Sequence, residues 1–146
     1  MKRWHIITLA FVLIGFGVYY RSHPLVSKVR IGSTVITVEV AATEAQKQKG
    51  LGGRQTLADG HGMLFPYDHK EQYNFWMRGM LIPLDFIWID GNRIADITEN
   101  VPPPKAAESP IIVKPGVEIN KVLEVNAGTV QRTGIRIGDA VEFIDR

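Results

Sequence analysis

The chain has 146 residues, 45% of them hydrophobic and 22% charged, which is room for one folded domain and little more. It contains no cysteine, so a disulfide scaffold, a thiol nucleophile and a thiolate metal site are excluded. Three of the 17 basic residues (Lys2, Arg3, Arg21) flank the first apolar segment, and all 15 acids lie at Glu39 or later. The part after residue 27 therefore carries 14 basic and 15 acidic side chains, a formal charge of −1 with no electrostatic footprint for nucleic acid.

Residues 4–20, WHIITLAFVLIGFGVYY, are 17 positions without Lys, Arg, Asp or Glu. As a helix they span roughly 25 Å, the short end of what a bilayer core needs. Lys2 and Arg3 hold the N-terminus in the cytoplasm and send the rest across, and Trp4, Tyr19 and Tyr20 fit the interfacial aromatic positions. Residues 1–27 thus read as a signal-anchor helix followed by the linker RSHPLVS, in which Pro24 stops any helix. The globule, residues 28–146, is expected outside the cytoplasm, in the periplasm or the extracellular space. The competing reading is secretion after cleavage near the small pair Gly15 and Gly17. Against it, the apolar run continues through Val18, Tyr19 and Tyr20, and no A-x-A is present.

From Lys28 onward the dominant period is two. Val29-Arg30-Ile31 and Thr34 to Val40 are joined by Gly32-Ser33, a two-residue hairpin signal. Thr43-Glu44-Ala45-Gln46 is a capping box and Gly50 sits where a C′ glycine belongs, which predicts a short helix whose Lys47 and Lys49 form a solvated face. Residues 51–62, LGGRQTLADGHG, have four glycines in twelve positions and no period, a loop of functional length. Strands are predicted at Met63 to Phe65, Tyr73 to Met77, and Leu84 to Ile89, the last turning at Asp90-Gly91-Asn92 into Arg93 to Thr98. Pro102-Pro103-Pro104 is a stiff connection. Pro115-Gly116 leads into Val117 to Val125, Asn126 N-caps a second short helix ending at Gly134, and Ala140 to Ile144 is the last strand. About eight to ten short antiparallel strands with two short helices as decoration argue for a mainly β sandwich or small barrel.

Several stretches together resemble one family. They are Lys49-Gly50-Leu51-x-Gly-Arg54, Gly62-Met63-Leu64-Phe65, Phe75-Trp76-Met77-Arg78, Ile82-Pro83-Leu84-Asp85 followed by Ile89-Asp90, and Val122-Leu123-Glu124-Val125-Asn126-Ala127-Gly128 with Gly134-Ile135-x-x-Gly138-Asp139. Their order and spacing are similar to the DUF192 family (UPF0127) over about residues 35–143. The resemblance implies a compact jelly-roll-type β domain, often exported behind a signal or anchor, and implies no activity. Two glycines depart from the family pattern: Gly52, where Met is common, and Gly79, where Asn is common. They are expected to loosen the loops that carry them.

Asp85 is a carboxylate inside a strand that otherwise asks for burial, so it needs a cation or several amide donors. Arg54, carried on the glycine-rich loop, and Arg78, just upstream, are the candidate partners. The plain reading is a structural ion pair of Arg54 with Asp85. The sharper one is a general acid or base tuned by burial. Phe75-Trp76-Met77 alternates, so if Phe75 and Met77 face the core, Trp76 lies in a groove able to stack on a sugar or another planar ligand. Trp88, on one face with Leu84 and Phe86, is expected in the core. Glu124 and Asp85 could be imagined as a carboxylate pair for glycoside hydrolysis, but the sequence fixes no separation between them. The four histidines (His5, His23, His61, His69) fit no zinc spacing, and no nucleophile elbow, phosphate loop or dinucleotide fingerprint occurs, so no metal or cofactor is expected.

Two function classes remain. The first is a non-catalytic, exported, monomeric module that binds a small or saccharide-like ligand, or an envelope partner, in a groove lined by Arg54, Trp76, Arg78, Asp85 and Asn126. The second is an envelope hydrolase or lyase using Asp85 with Arg54. The topology has its own test. Fractionation and mature mass should give an uncleaved, membrane-tethered protein with its globule outside. A soluble product beginning at Val18 would replace the anchor by a cleaved signal, and a cytoplasmic globule would exclude both.

Overall fold

The structure is a computed structural model that describes residues 25–105 and 109–144, so the expected anchor at residues 4–20 lies outside the described residues. Among the described residues no helix is long and apolar enough to cross a membrane. They form nine strands and two short helices in the order β1 (Leu25–Ile31), β2 (Thr34–Val40), α1 (Glu44–Lys49), β3 (His61–Glu71), β4 (Phe75–Trp76), β5 (Leu84–Asp90), β6 (Arg93–Val101), β7 (Ile112–Val113), β8 (Ile119–Asn126), α2 (Thr129–Thr133) and β9 (Val141–Ile144).

The hairpins follow the local chemistry. Ile31 pairs with Thr34 across Gly32-Ser33, and Asp90 pairs with Arg93 across Gly91-Asn92. Gly32 and Gly91 both take the positive φ that such two-residue turns require. Helix α1 starts at the predicted capping box: Gln46 N–H donates to Thr43 Oγ1, and Gln46 Oε1 accepts from Thr43 N–H.

Seven strands form one sheet in the order β6-β5-β8-β3-β2-β1-β9, and β4 pairs with β7 in a separate two-stranded sheet. The large sheet curls into a half-barrel whose end strands approach at one end. There Ile94 N–H donates to Asp139 C=O at 3.0 Å and Val141 N–H to Asn92 C=O at 2.8 Å. One pairing departs from the antiparallel expectation: β2 and β3 run parallel. Between them the chain travels through α1 and the glycine-rich loop, a connection long enough to return it in the same direction.

Strands β5 and β8 are interior strands of the sheet with most side chains buried on both faces. On one face Phe86 stacks on Trp88 with centroids 5.5 Å apart, and Phe75 from β4 meets Phe65, Phe86 and Trp88 edge-on. Trp88 is fully buried, as its pattern predicts, and its indole N–H donates to Thr98 Oγ1 at 2.9 Å. On the other face Ile87, Ile89, Leu123 and Val125 pack with Val29, Ile36, Val38 and Val130.

Three local expectations are corrected. Asn126 does not cap α2: it ends β8, and Gly128 occupies the N-cap position without a side-chain bond. The predicted strand Tyr73 to Met77 shrinks to Phe75–Trp76, because its only ladder partner is the two-residue β7. Strand β1 begins at Leu25, inside the segment expected to be linker, because the register with β2 extends back to the pair Leu25 and Val40.

This last point sets a boundary. Removing residues 1–24 should leave a cooperatively unfolding domain. Removing residues 1–27 also deletes the pairs at Leu25, Val26 and Ser27 and the 2.8 Å bond from Ser27 Oγ to Ile144 C=O, and should lower the melting temperature by about 4–8 °C. Equal melting of the two truncations would show that these pairs contribute nothing.

Candidate functional site

The five residues expected to line one groove fall into separate places. Asp85 has no exposed surface. Its Oδ1 accepts from Asn100 N–H at 2.8 Å and its Oδ2 from Val130 N–H at 3.0 Å. The expected need for donors is met by backbone amides, and the expected Arg54 pairing does not form. Val130 is in the first turn of α2, whose glycine N-cap offers no side chain, so Asp85 supplies from β5 the acceptor that the cap lacks. Asn100 holds a left-handed φ of 56°, and its N–H is turned onto the same carboxylate. Loss of this side chain leaves two N–H groups unsatisfied, at about 1–3 kcal/mol each.

Arg54 pairs with Glu39 of β2 instead. Its Nη1 donates to Oε1 at 2.5 Å and its Nη2 to Oε2 at 2.7 Å, a bidentate fork. That bond from Arg54 holds the Glu39 carboxyl below its ordinary value of 4.5 against the opposing effect of burial. Asn126 donates from Nδ2 to Leu57 C=O at 2.8 Å and ties the same glycine-rich loop to the end of β8. Gly52 and Gly79 meet at the base of this loop. Gly53 N–H donates to Gly79 C=O at 2.8 Å, and a Cβ on Gly52 would sit 2.9 Å from Lys49 C=O. Gly52 therefore permits a close backbone approach, whereas Gly79 takes a positive φ of 69° with open space where a Cβ would stand.

Trp76 and Arg78 remain together. Phe75 and Met77 are buried and Trp76 is 46% exposed, the outcome that the alternation predicts for a groove residue. The Arg78 guanidinium lies over the indole, 4.9 Å from its centroid. Both residues line a cleft of about 260 Å³ between α1, β4 and the large sheet. One wall is α1, with Glu44, Lys47 and Lys49; the other is β4 and its continuation; Phe65, Tyr67 and Glu124 lie between. Lys47 is not a free solvated group: it pairs with Glu44 at 3.1 Å and lies 4.3 Å above the Tyr67 ring, which in turn stacks on Tyr73.

Glu124 is the residue that the sequence reading undervalued. It stands on β8 opposite Met63 of β3 and Phe86 of β5, on the aromatic face of the sheet. It is 5% exposed, and its Oε2 has no hydrogen-bond partner among the described residues. Burial among apolar side chains pushes its carboxyl from 4.5 up to about 8. The imagined pairing with Asp85 is excluded by register. Asp85 faces Val125 and Glu124 faces Phe86, so alternation sends the two carboxylates to opposite faces of the sheet. Gly50 roofs the site, and a Cβ there would lie 3.5 Å from the Phe65 ring and 3.9 Å from Glu124 Oε2. The signal that could have found Glu124 is the one that flagged Asp85: a lone acid between apolar neighbours, here Val122-Leu123-Glu124-Val125.

Among the described residues no group of three or more His, Asp or Glu side chains is placed to hold a metal ion. His61 Nδ1 lies 3.1 Å from Asp59 C=O, and His69 accepts from Tyr73 Oη through its own carbonyl.

The geometry and the motifs converge with a family match over residues 27–143, to the model DUF192, described as an uncharacterized ACR. The chain belongs to the DUF192 family. A crystal structure from Sinorhizobium meliloti 1021, of a protein proposed to be a transcription regulator, is 34% identical. It superposes with a TM-score of 0.75 over 83% of this chain and 95% of that one. A protein of unknown function from Novosphingobium aromaticivorans DSM 12444 is 35% identical, with a TM-score of 0.70 over 80% of this chain and 84% of that one. No curated protein matches the chain.

In this DUF192 domain the buried Glu124 has a measurable signature. Below pH 4.5 the carboxyl is protonated whether the chain is folded or unfolded, and burial carries no charge penalty. Between 4.5 and about 8 the folded state keeps a proton that the unfolded state has released, so stability falls as pH rises; above that range the penalty is constant. Glu124→Gln should remove this slope, and the stability difference between variant and wild type should grow with pH to on the order of 3 kcal/mol at neutrality. Chemical denaturation of both proteins from pH 4 to 9 measures it; a difference independent of pH would show that Glu124 is ordinarily solvated.

Proposed function

We propose that this domain is a non-catalytic module of the cell envelope that binds a small, saccharide-like ligand in the cleft between α1 and β4. The groove expected near Arg54 and Asp85 is relocated to Trp76, Arg78 and Glu124. The observation that carries the reading is the Glu124 carboxyl, buried at the floor of a cleft with Oε2 unpartnered. A polar atom buried without a partner is costly, and Glu124 lines the cleft, so a ligand seated there is the nearest source of a partner for its carboxyl. The exposed indole of Trp76 beside it offers the flat apolar surface that a sugar ring packs against. A volume of about 260 Å³ is small for a ligand pocket and fits a single ring.

The lining includes no serine, threonine, cysteine or histidine, so the usual side-chain nucleophiles are absent from it. An enzyme built on Asp85 and Arg54 has no support, because each is engaged elsewhere. The regulator role proposed for the S. meliloti relative is not carried over, because a globule of formal charge −1 has no net attraction for nucleic acid. Placement in the envelope rests on Lys2, Arg3 and the apolar residues 4–20.

Trp76 gives the direct test. Titrating the full-length protein with a panel of monosaccharides and disaccharides should change tryptophan emission, and the change should vanish in Trp76→Ala but persist in Trp88→Phe. A panel with no binder by emission or by calorimetry would end the saccharide reading.

A further inference from the structure

The rim of the cleft carries an imbalance of charge that its floor does not share. Three cations stand on it, Lys47, Lys49 and Arg78, with Glu44 as the one acid at the surface. Lys47 is already paired with Glu44, whereas Lys49 and Arg78 have no acidic group within ion-pair distance among the described residues. Arg78 is exposed, with its guanidinium carbon 4.9 Å from the Trp76 ring centroid, and its fork of N–H donors matches a planar anion. The floor is different in kind, a single carboxyl among Phe65, Met63 and Phe86.

We propose that the ligand is a monosaccharide-sized ring bearing one anionic group, a uronate or a sugar phosphate, with its anion on Arg78 and Lys49 and a ring oxygen or hydroxyl on Glu124. This rests on the saccharide reading above and specifies its charge. A cationic amino sugar is disfavoured, because it must pass two unpaired cations to reach the floor. A neutral sugar leaves those cations without a role. The protonated form of Glu124 suits the anionic ligand, since it donates a hydrogen bond and adds no repulsion. The other titratable groups lining the cleft are Tyr67, Glu44, Lys47, Lys49 and Arg78; the facing residues of β3 and β5, Met63 and Phe86, are apolar.

Calorimetry on the full-length protein with D-glucuronate, D-glucose 6-phosphate, D-glucose and D-glucosamine decides the matter. At least one of the two anionic probes should bind tenfold or more tightly than D-glucose, and the anionic probe that binds better identifies the anion. Arg78→Ala and Lys49→Ala should each reduce that advantage fivefold or more. Affinity for the anionic probe should fall as pH rises from 7 to 9 in wild type and stay level in Glu124→Gln, which keeps a donor at every pH. Equal binding of D-glucose, or tighter binding of D-glucosamine, overturns the anionic ligand while leaving the saccharide reading intact. Binding of none of the four overturns this proposal, and failure of the whole sugar panel removes the reading beneath it.

Discussion

Strands β5 and β8 run side by side in the interior of the sheet with apolar layers on both faces, so any polar side chain they bury must find its partner inside the protein. Two buried acids, Asp85 and Glu124, stand there on adjacent strands, and they meet the requirement differently. Asp85 receives two backbone N–H groups, and in doing so fastens the end of β6 and the first turn of α2 to β5. Glu124 receives nothing at Oε2 and keeps its proton instead. The first solution builds the fold, and the second leaves an unpartnered polar atom buried beneath a surface cleft.

A third acid sharpens the contrast. Glu39, Met63, Glu124 and Phe86 are cross-strand neighbours in one row across β2, β3, β8 and β5. At the partly exposed end of the row Glu39 is answered by a bidentate arginine, while Glu124, further into the sheet, has no cation brought to it. The same face of the same sheet thus holds a structural ion pair and an unanswered carboxyl, about two strand spacings apart.

Much of this was legible in the sequence wherever the cause is local. The hairpin at Gly32-Ser33, the capping box at Thr43, the exposure of Trp76 between two buried neighbours and the burial of Trp88 all follow from residues within a few positions of one another. That Asp85 needs internal donors was also legible; which donors was not. The identity of its partners depends on Asn100 and Val130, 15 and 45 residues away, and on an α2 whose start differs from the one that Asn126 suggests. The partner of Arg54 was hidden for a similar reason. Glu39 comes within reach because β2 and β3 run parallel, and a direction of pairing across a 20-residue crossover leaves no mark in the period of either strand. Lys49 is exposed as its position suggests, but Lys47 read as solvent-facing because its neighbour is Tyr67 of β3, which only the folded chain brings beneath α1.

The walls of the cleft are not equally anchored. The α1 side follows directly from β2 and is closed at its end by Gly50 N–H bonding to Gln46 C=O. The opposite side, with Trp76, belongs to a ribbon of two residues per strand, supplemented by Met77 N–H on Ile111 C=O at 2.9 Å and by the edge-on packing of Phe75. So short a ladder can part without disturbing the seven-stranded sheet, which makes the β4–β7 ribbon a separate unit of local unfolding with a lower opening free energy than the core. Amide exchange there reports on the aromatic wall alone. A ring settling against Trp76 would slow exchange in that ribbon first, well before any change reached the strands that carry Asp85.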